Sequence, residues 1–173
     1  HWVSFLDDDD AWMPEKIEEQ IKCFQEHDID LCYTGKNIVN RRGKTIKYSY
    51  HNARFSSYLK SIMWDNFIGT TSSVMVLKKT ILTINAFDEK MPALQDYDLY
   101  IRICKNYKVR GVDKALVSYL YNHSSQQISR KKDNFQKACV LLWKKYQDWE
   151  YSSILIVGLA KLKVKKRIQY IYE

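Results

Sequence analysis

The sequence predicts an α/β fold, because short apolar runs rich in β-branched residues alternate with stretches of helical periodicity. The first run, Val3 to Leu6, has the composition of a strand end, and four consecutive aspartates follow it directly. An amphipathic helix is predicted next, over Pro14 to His27, with Ile17, Ile21 and Phe24 on one stripe. In open α/β sheets ligands bind beyond the carboxyl ends of strands, so the aspartates are expected at a functional edge.

The later elements follow from the same patterns. Strands are predicted over Ile29–Val39, Lys44–Tyr50, Val109–Val112 and Ala115–Tyr121. A further strand is predicted within Phe67–Leu77, ending in Val74–Leu77. Helices are predicted over Phe55–Trp64, Lys78–Asn85, from Gln95 onwards, and over Lys132–Glu150. The helix from Gln95 is expected to pair Asp98 with Arg102 and to bury an apolar stripe of Tyr97, Tyr100, Ile101, Cys104 and Tyr107. The segment Ile154–Ala160 is strongly apolar but far shorter than the about 20 residues that cross a bilayer. We expect this tail to pack as a terminal helix, although a basic segment after it could instead lie on an anionic membrane surface.

Composition bounds the class of protein. The 173 residues are enough for one domain, and 46% hydrophobic content with five glycines and two prolines argues against disorder. The chain begins with His on a strand that should be central, so we expect a piece of a longer protein. The four cysteines are widely spaced in apolar surroundings, which indicates reduced core thiols of a cytoplasmic protein.

The net charge of +8 is concentrated in two segments, Arg130–Lys132 and Lys161–Arg167. A basic surface can contact nucleic acid, anionic lipid or a phosphorylated substrate. Nucleic acid is not expected, because no helix-turn-helix, zinc-finger or RNP-like signature is present.

The run Asp7 to Asp10 carries the strongest chemical signal. Carboxylates this close repel and raise one another's pKa, which a chain tolerates where a cation sits between them. A divalent metal held by hard oxygen ligands is the simplest such cation. A solvated acidic turn, or a set of N-cap residues before Pro14, is the alternative. The preceding strand and the following Trp12 favour the metal.

Two motifs resemble a known family. Leu6 to Trp12, with Pro14, Lys16 and Gln20, resembles the "LDxDDxW…P…K…Q" segment of family 2 glycosyltransferases, which have the GT-A fold. Gln95 to Ile103 resembles the "EDxDLxxRL" helix start of the same family, with Gln95 where Glu is usual. Ala86 to Glu89 resembles the "G.FDE" loop that precedes it, with Ala86 in place of Gly.

The resemblance implies a GT-A mixed sheet flanked by helices, and the transfer of a sugar from a nucleotide-diphosphate donor, with a UDP-sugar expected. The acceptor would be a hydroxyl of a saccharide or of a lipid-linked molecule in cell-surface polysaccharide or glycolipid synthesis, with inversion at the anomeric carbon. Asp7 and Asp9 would hold Mn²⁺ or Mg²⁺ and contact the donor. Asp96 would be the catalytic base, although an acid there is also an ordinary first-turn residue of a helix.

Three weaker candidates come from the same comparison. Thr71 and Ser72 lie in a segment that resembles the family's acceptor-side "G.sS" stretch, while composition alone favours an ordinary turn into a strand. His123 lies where the family ends its catalytic domain, and it would contact the metal or the diphosphate. The alternative for His123 is a structural hydrogen bond.

The resemblance divides the chain into a partial GT-A domain over 1–130, holding the metal and acceptor half, and a C-terminal helical extension over 131–173. The nucleotide-binding half is expected to be absent, so little transferase activity is expected from this piece alone. The absence of that half would expose apolar faces of the first strand and of the helix after it, and such faces favour a homodimer. The expected location is the cytoplasm, at the inner face of the membrane.

Two other classes of function remain open at this point. A metal-dependent phosphohydrolase can also use aspartates after a strand, but Ala11 stands where the common version has Thr or Val. A non-catalytic basic module would bind a membrane or nucleic acid in a salt-dependent way, without a need for manganese.

Overall fold

The computed structural model describes residues 1–120 and 132–171, except for the side chains of 132 and 165–171. Its described part contains one mixed sheet of six strands. These are β1 (Trp2–Ser4), β2 (Ala11–Trp12), β3 (Leu31–Val39), β4 (Thr45–Ser49), β5 (Val74–Leu77) and β6 (Val109–Leu120).

The strand order is β1-β5-β3-β6-β2, with β4 forming a hairpin with the second half of β3. The central pair, β3 and β6, is parallel, and the remaining pairs are antiparallel. A mixed sheet of this kind agrees with the predicted α/β class.

Six helices surround the sheet within the described residues. They are α1 (Lys16–Glu26), α2 (Tyr58–Trp64), α3 (Lys78–Thr83), α4 (Gln95–Asn106), α5 (Lys132–Tyr146) and α6 (Ser152–Ile171), and a short 3-10 turn covers Thr71–Ser73. Helix α1 packs on β3 and β6, while α2 contacts both α4 and α6. The stripe of Ile17, Ile21 and Phe24 was expected to face the sheet, and this was wrong. The buried residues of α1 are instead Lys16, Gln20 and Cys23, because the polar side chains of this face bind each other and the backbone of β3, while Ile17 is exposed.

The core explains why these segments form these elements. The first half of β3 is buried on both faces, as expected for a central strand that has neighbours above and below. On α4, Tyr97, Tyr100, Ile101 and Cys104 of the predicted stripe are all buried, whereas Tyr107 lies just after the helix and is partly buried. Apolar side chains of β3, β5, α4, α5 and α6 belong to one hydrophobic cluster.

The C-terminal helices are part of that cluster. Cys139 and Leu142 of α5 and Leu155 and Leu159 of α6 are almost completely buried. The prediction that the tail packs as a terminal helix is therefore confirmed for the first half of α6. In the described ranges, no helix has both the length and the apolar character needed to cross a membrane.

Two predictions about strands were wrong. Val3 to Leu6 was expected to end a buried strand, but β1 pairs only with β5 in the described sheet, and Trp2 and Leu6 are 41% and 51% exposed. The closing strands Val109–Val112 and Ala115–Tyr121 were expected to be separate. Up to Leu120 they form one strand, β6, because the pairing with β3 resumes directly after an irregularity: Thr34 pairs with Val112 and Gly35 pairs with Ala115, so Asp113 and Lys114 are extra residues on β6.

Candidate active site

The two sequence motifs meet at one edge of the sheet. Asp7 lies in the loop after β1, Asp96 lies in the first turn of α4, and Lys36 comes from β3. The charges of Lys36 and Asp7 both act on the pKa of Asp96, so the three side chains share one electrostatic environment. The fold therefore brings together residues that are up to about 90 positions apart in the chain.

Asp7 is held in place by the 3-10 turn. The Thr71 hydroxyl donates to Asp7 Oδ1 at 3.0 Å, and the Thr70 hydroxyl lies 3.4 Å from Oδ2. The Asp7 backbone N–H donates to the Ser72 hydroxyl at 3.1 Å. The side chain of Asp7 is exposed, so these bonds orient a carboxylate that still faces solvent. Thr71 and Ser72, predicted as ligand-contacting candidates, are placed directly beside Asp7.

The rest of the first motif positions that turn. Trp12 Nε1 donates to the Ser72 carbonyl at 2.8 Å, and Gln20 Nε2 donates to the carbonyls of Ser73 and Cys32 at 3.0 and 3.1 Å. Lys16 in turn donates to Gln20 Oε1 at 2.7 Å, from the preceding turn of α1. The spacing of Trp12, Lys16 and Gln20 is thus explained by a buried scaffold for the 3-10 turn.

Lys16 is an unusual member of that scaffold because it is completely buried. Its ammonium group lies 4.1 Å from the Trp12 ring centroid, where the π face compensates part of the lost hydration. Burial lowers the pKa of Lys16 to about 8. The Lys16 side chain stabilises the 3-10 turn through Gln20 and does not reach solvent.

The four aspartates do not share one environment. Asp8 and Asp9 are exposed, whereas Asp10 is partly buried. The Asp10 amide donates to the Asp7 carbonyl at 3.1 Å, its Oδ1 accepts from the Leu120 amide at 3.4 Å, and its Oδ2 is buried without a hydrogen-bond partner among the described residues. Burial raises the pKa of Asp10, with the Asp7 and Asp9 charges acting in the same direction. Asp7 and Asp9, the two residues predicted to hold a metal, therefore both face solvent.

The metal assignment rests on these two acids. In the described ranges, no group of three or more His, Cys, Asp or Glu side chains is arranged to hold an ion. His123, the predicted third contact, lies outside the residues that the structure describes. Two exposed carboxylates are nevertheless a fitting set for Mg²⁺ or Mn²⁺, because such ions take further oxygen ligands from substrate phosphates and water.

Asp96 is the acid with the most perturbed environment at this edge. Its Oδ1 accepts from the Tyr97 amide at 2.8 Å, and Leu94 just before the helix adopts a left-handed conformation with φ of +60°. Burial raises the pKa of Asp96 to about 6, while the Tyr97 amide and the Lys36 ammonium act in the opposite direction. Gln95, where the family has Glu, donates to the Met91 carbonyl at 3.0 Å and stabilises the loop before the helix.

Lys36 and Tyr100 were not predicted as site residues. The Lys36 ammonium lies 4.2 Å from the Tyr119 ring centroid, and the charges of Asp10, Asp96 and Asp7 oppose the lowering of its pKa by burial. The Tyr100 hydroxyl is buried without a hydrogen-bond partner among the described residues, and burial and the Asp96 charge raise its pKa. The signal for Lys36 was a lone lysine in the apolar strand LCYTGKNIV.

Asp98, two residues after Asp96, has a different role. It is fully buried and accepts from Tyr146 Oη at 2.6 Å and from Arg102 Nε at 2.9 Å, and Lys145 Nζ lies 2.7 Å from its Oδ1. Arg102 also donates to the Ala86 carbonyl at 2.7 Å. This group of contacts, the Asp98 clamp, ties α4 to α5 and to the loop before α4. The predicted Asp98–Arg102 pair is confirmed as part of it.

Solved structures confirm the fold. Staphylococcus aureus TarS, residues 1–349, in complex with UDP-GlcNAc, superposes with a TM-score of 0.62 at 16% sequence identity, covering 91% of this chain and 47% of that one. The same protein in complex with UDP gives a TM-score of 0.60 at 17% identity. The likeness supports the predicted GT-A fold, a mixed sheet flanked by helices.

Curated relatives share more sequence. An uncharacterized glycosyltransferase of Methanocaldococcus jannaschii is 28% identical over 134 residues, covering 76% of this chain and 46% of the relative. The UDP-Glc:alpha-D-GlcNAc-diphosphoundecaprenol beta-1,3-glucosyltransferase WfgD of Escherichia coli is 26% identical over 132 residues, covering 76% and 49%. The chain thus spans about half the length of these relatives. Residues 1–153 match the family described as "Glycosyltransferase like family 2", and the chain belongs to that family.

Proposed function

We propose that the protein transfers a sugar from a nucleotide-diphosphate donor to a hydroxyl group of a saccharide or lipid-linked acceptor. The names of two relatives support the substrate classes, since WfgD is named for a UDP-glucose donor and a diphosphoundecaprenol acceptor, and WbnJ of E. coli for O-antigen biosynthesis. TarS was crystallised with UDP-GlcNAc. The reaction would occur in the cytoplasm, at the inner face of the membrane that holds a lipid-linked acceptor.

The observation that carries the proposal is the environment of Asp96. A pKa of about 6 leaves this carboxylate ionised at neutral pH, yet more basic than an exposed aspartate. A general base is most effective when its pKa lies near the working pH. Asp96 fits that role, whereas the clamped Asp98 is fully buried and already occupied by three partners.

In the proposed reaction the acceptor hydroxyl attacks the anomeric carbon of the donor. A new carbon–oxygen bond forms while the bond to the diphosphate oxygen breaks, and the hydroxyl proton passes to the Asp96 carboxylate. Attack on the face opposite the leaving diphosphate would invert the configuration. The Lys36 ammonium limits repulsion between Asp96, Asp7 and Asp10, so that Asp96 can stay ionised beside other acids.

Asp7 and Asp9 would hold a Mn²⁺ or Mg²⁺ ion, with the donor supplying further oxygen ligands. Thr71 and Ser72 would orient Asp7 for this purpose through the hydrogen bonds described above. The ion, when bound, would neutralise negative charge on the leaving diphosphate. His123 remains a proposed additional contact to the ion or the diphosphate.

The test is the variant Asp96→Asn, which keeps the shape of the side chain and removes its basicity. In the full-length protein, we expect turnover of a nucleotide-sugar to fall by about 10²–10⁴-fold, the usual contribution of a positioned base. Donor affinity, measured by calorimetry, should barely change, because the base serves the acceptor. Asp28→Asn is the matched control, since Asp28 is exposed and forms an ion pair with Lys108 at another part of the surface. Normal turnover with weakened donor binding would assign Asp96 to the donor site instead.

A further inference from the structure

Helix α6 has two apolar faces, and only one of them is used by the fold. Its inner face carries the buried Leu155 and Leu159 and packs against α2. Gly158 lies between them, where a Cβ atom would come within 2.8 Å of the Trp64 carbonyl oxygen. This close approach fixes which side of α6 faces the protein, and therefore which side faces outward.

The opposite side of the helix, the α6 outer face, consists of Ser153, Ile156, Val157, Ala160 and Val164. All five are exposed, and the three large apolar side chains, Ile156, Val157 and Val164, are 50%, 45% and 56% exposed. A surface helix of a soluble domain is normally polar on this side. A continuous apolar strip facing outward indicates a surface that contacts something else.

The charge of the helix indicates what that partner is. Helix α6 contains no acidic residue, and from Lys161 onwards it contains five basic ones, Lys161, Lys163, Lys165, Lys166 and Arg167. Lys163 is exposed at one border of the outer face. Lys161 lies at the other border, where its ammonium group contacts the Trp64 ring of α2. An apolar strip with cations at its sides is complementary to an anionic surface that also has an apolar interior.

The Lys161 border of the outer face is adjacent to an aromatic ring. The partly buried Trp64 ring of α2 lies 3.9 Å from the Lys161 ammonium. Tryptophan and lysine are both common at the head-group level of membranes.

We propose that the α6 outer face, with Lys161 and Lys163 at its borders, docks on the surface of an anionic lipid bilayer. The apolar side chains would enter the boundary between head groups and acyl chains, and the cations would contact lipid phosphates. A bilayer explains both halves of the surface, whereas nucleic acid would engage the cations and leave the apolar strip without a partner. The inference does not depend on the transferase proposal, because docking needs neither donor nor acceptor.

The experiment is co-sedimentation of the protein with two kinds of vesicle. One consists of phosphatidylcholine alone, and the other contains about 30% phosphatidylglycerol. We expect binding to the anionic vesicles that weakens with salt, and little binding to the neutral ones. The double variant Ile156→Ser/Val164→Ser should lower the partition coefficient by about tenfold or more, from the loss of apolar contact. Lys163→Gln should lower it by about fivefold.

Two matched controls separate docking from general effects. Leu82→Ser removes an equally exposed apolar side chain, 62% exposed on α3, and Lys47→Gln removes an exposed lysine on β4. Both should bind vesicles as the unmodified protein does, and circular dichroism melts should show that all four variants fold.

Several outcomes would overturn the proposal. These are equal binding to both kinds of vesicle, equal losses in the controls, or full binding by the double variant. Self-association that the double variant abolishes, without vesicle binding, would assign the α6 outer face to a second copy of the chain. Binding to RNA that falls in Lys163→Gln but not in the double variant would assign the cations to nucleic acid.

Discussion

Asp96 and Asp98 are separated by one residue on α4, yet they lie in two different regions of the molecule. Asp98 lies in the clamp, fully buried, with Arg102, Lys145 and Tyr146 directed at its carboxylate. Asp96 lies at the sheet edge, and among the described residues no cation comes within ion-pair distance of it. Burial with dedicated partners makes a carboxylate structural, whereas burial beside other acids raises its pKa and makes it basic enough for chemistry.

The largest expected effect would come from the structural region. Asp98→Ala should lower the free energy of unfolding by about 3–5 kcal/mol, because it leaves Arg102 and Lys145 beside a buried site without their shared counter-ion. Urea denaturation measures this change. The control is Asp88→Ala, since Asp88 contacts the same Lys145 but is partly exposed, so the loss should stay below about 1 kcal/mol. Equal losses in both variants would remove the distinction between the clamp and a surface ion pair.

A smaller effect is expected where the aspartate run faces solvent. Asp9→Asn should weaken binding of Mn²⁺ in the presence of UDP by about tenfold or more, because a carboxylate ligand is lost. Asp8→Asn makes the same change in charge at the neighbouring exposed residue and should have little effect. Calorimetry with and without UDP separates the metal from the nucleotide. Equal effects of the two variants would show that only the general charge of the run matters.

The smallest effect concerns the charge balance around Asp96. Lys36→Gln should raise the pKa of Asp96 above about 6, because the Lys36 ammonium favours the ionised carboxylate. The acid limb of a pH profile of kcat/KM would then move to higher pH, by up to about one unit. Lys47→Gln, an exposed lysine on β4, is the control. A profile that does not move, or moves to lower pH, would contradict the placement of Lys36 beside the base.

Much of the fold and part of the site could be predicted from local patterns. The stripe on α4 predicted which of its residues are buried, and the order of the two motifs led to the GT-A fold. The two strand predictions that were wrong concern features that depend on pairing between strands distant in the sequence. Trp2 to Leu6 has the composition of a buried strand, but burial depends on neighbouring strands. Asp113 and Lys114 resemble a break, but the parallel pairing with β3 resumes at Ala115 immediately after them, so β6 continues as one strand.

The candidate site shows the same division. Asp7 and Asp96 were predicted because each belongs to a local motif with a recognisable spacing. Lys36 was missed because its importance comes only from the three-dimensional register that places β3 beside α4. Thr71 and Ser72 were selected as residues that contact a ligand, and their hydrogen bonds to Asp7 suggest an indirect role that composition could not reveal.

The most direct test of the role of Asp96 is an NMR titration of its carboxyl carbon, in protein labelled with ¹³C at aspartate and assigned with Asp96→Asn. We expect a midpoint near pH 6, because burial at the sheet edge disfavours the charged form more than Lys36 and the Tyr97 amide favour it. In that case Asp96 binds a proton below about pH 6 and is available as a base above it. A midpoint near pH 4, the value of an exposed aspartate, would contradict the claim that the fold prepares Asp96 for catalysis.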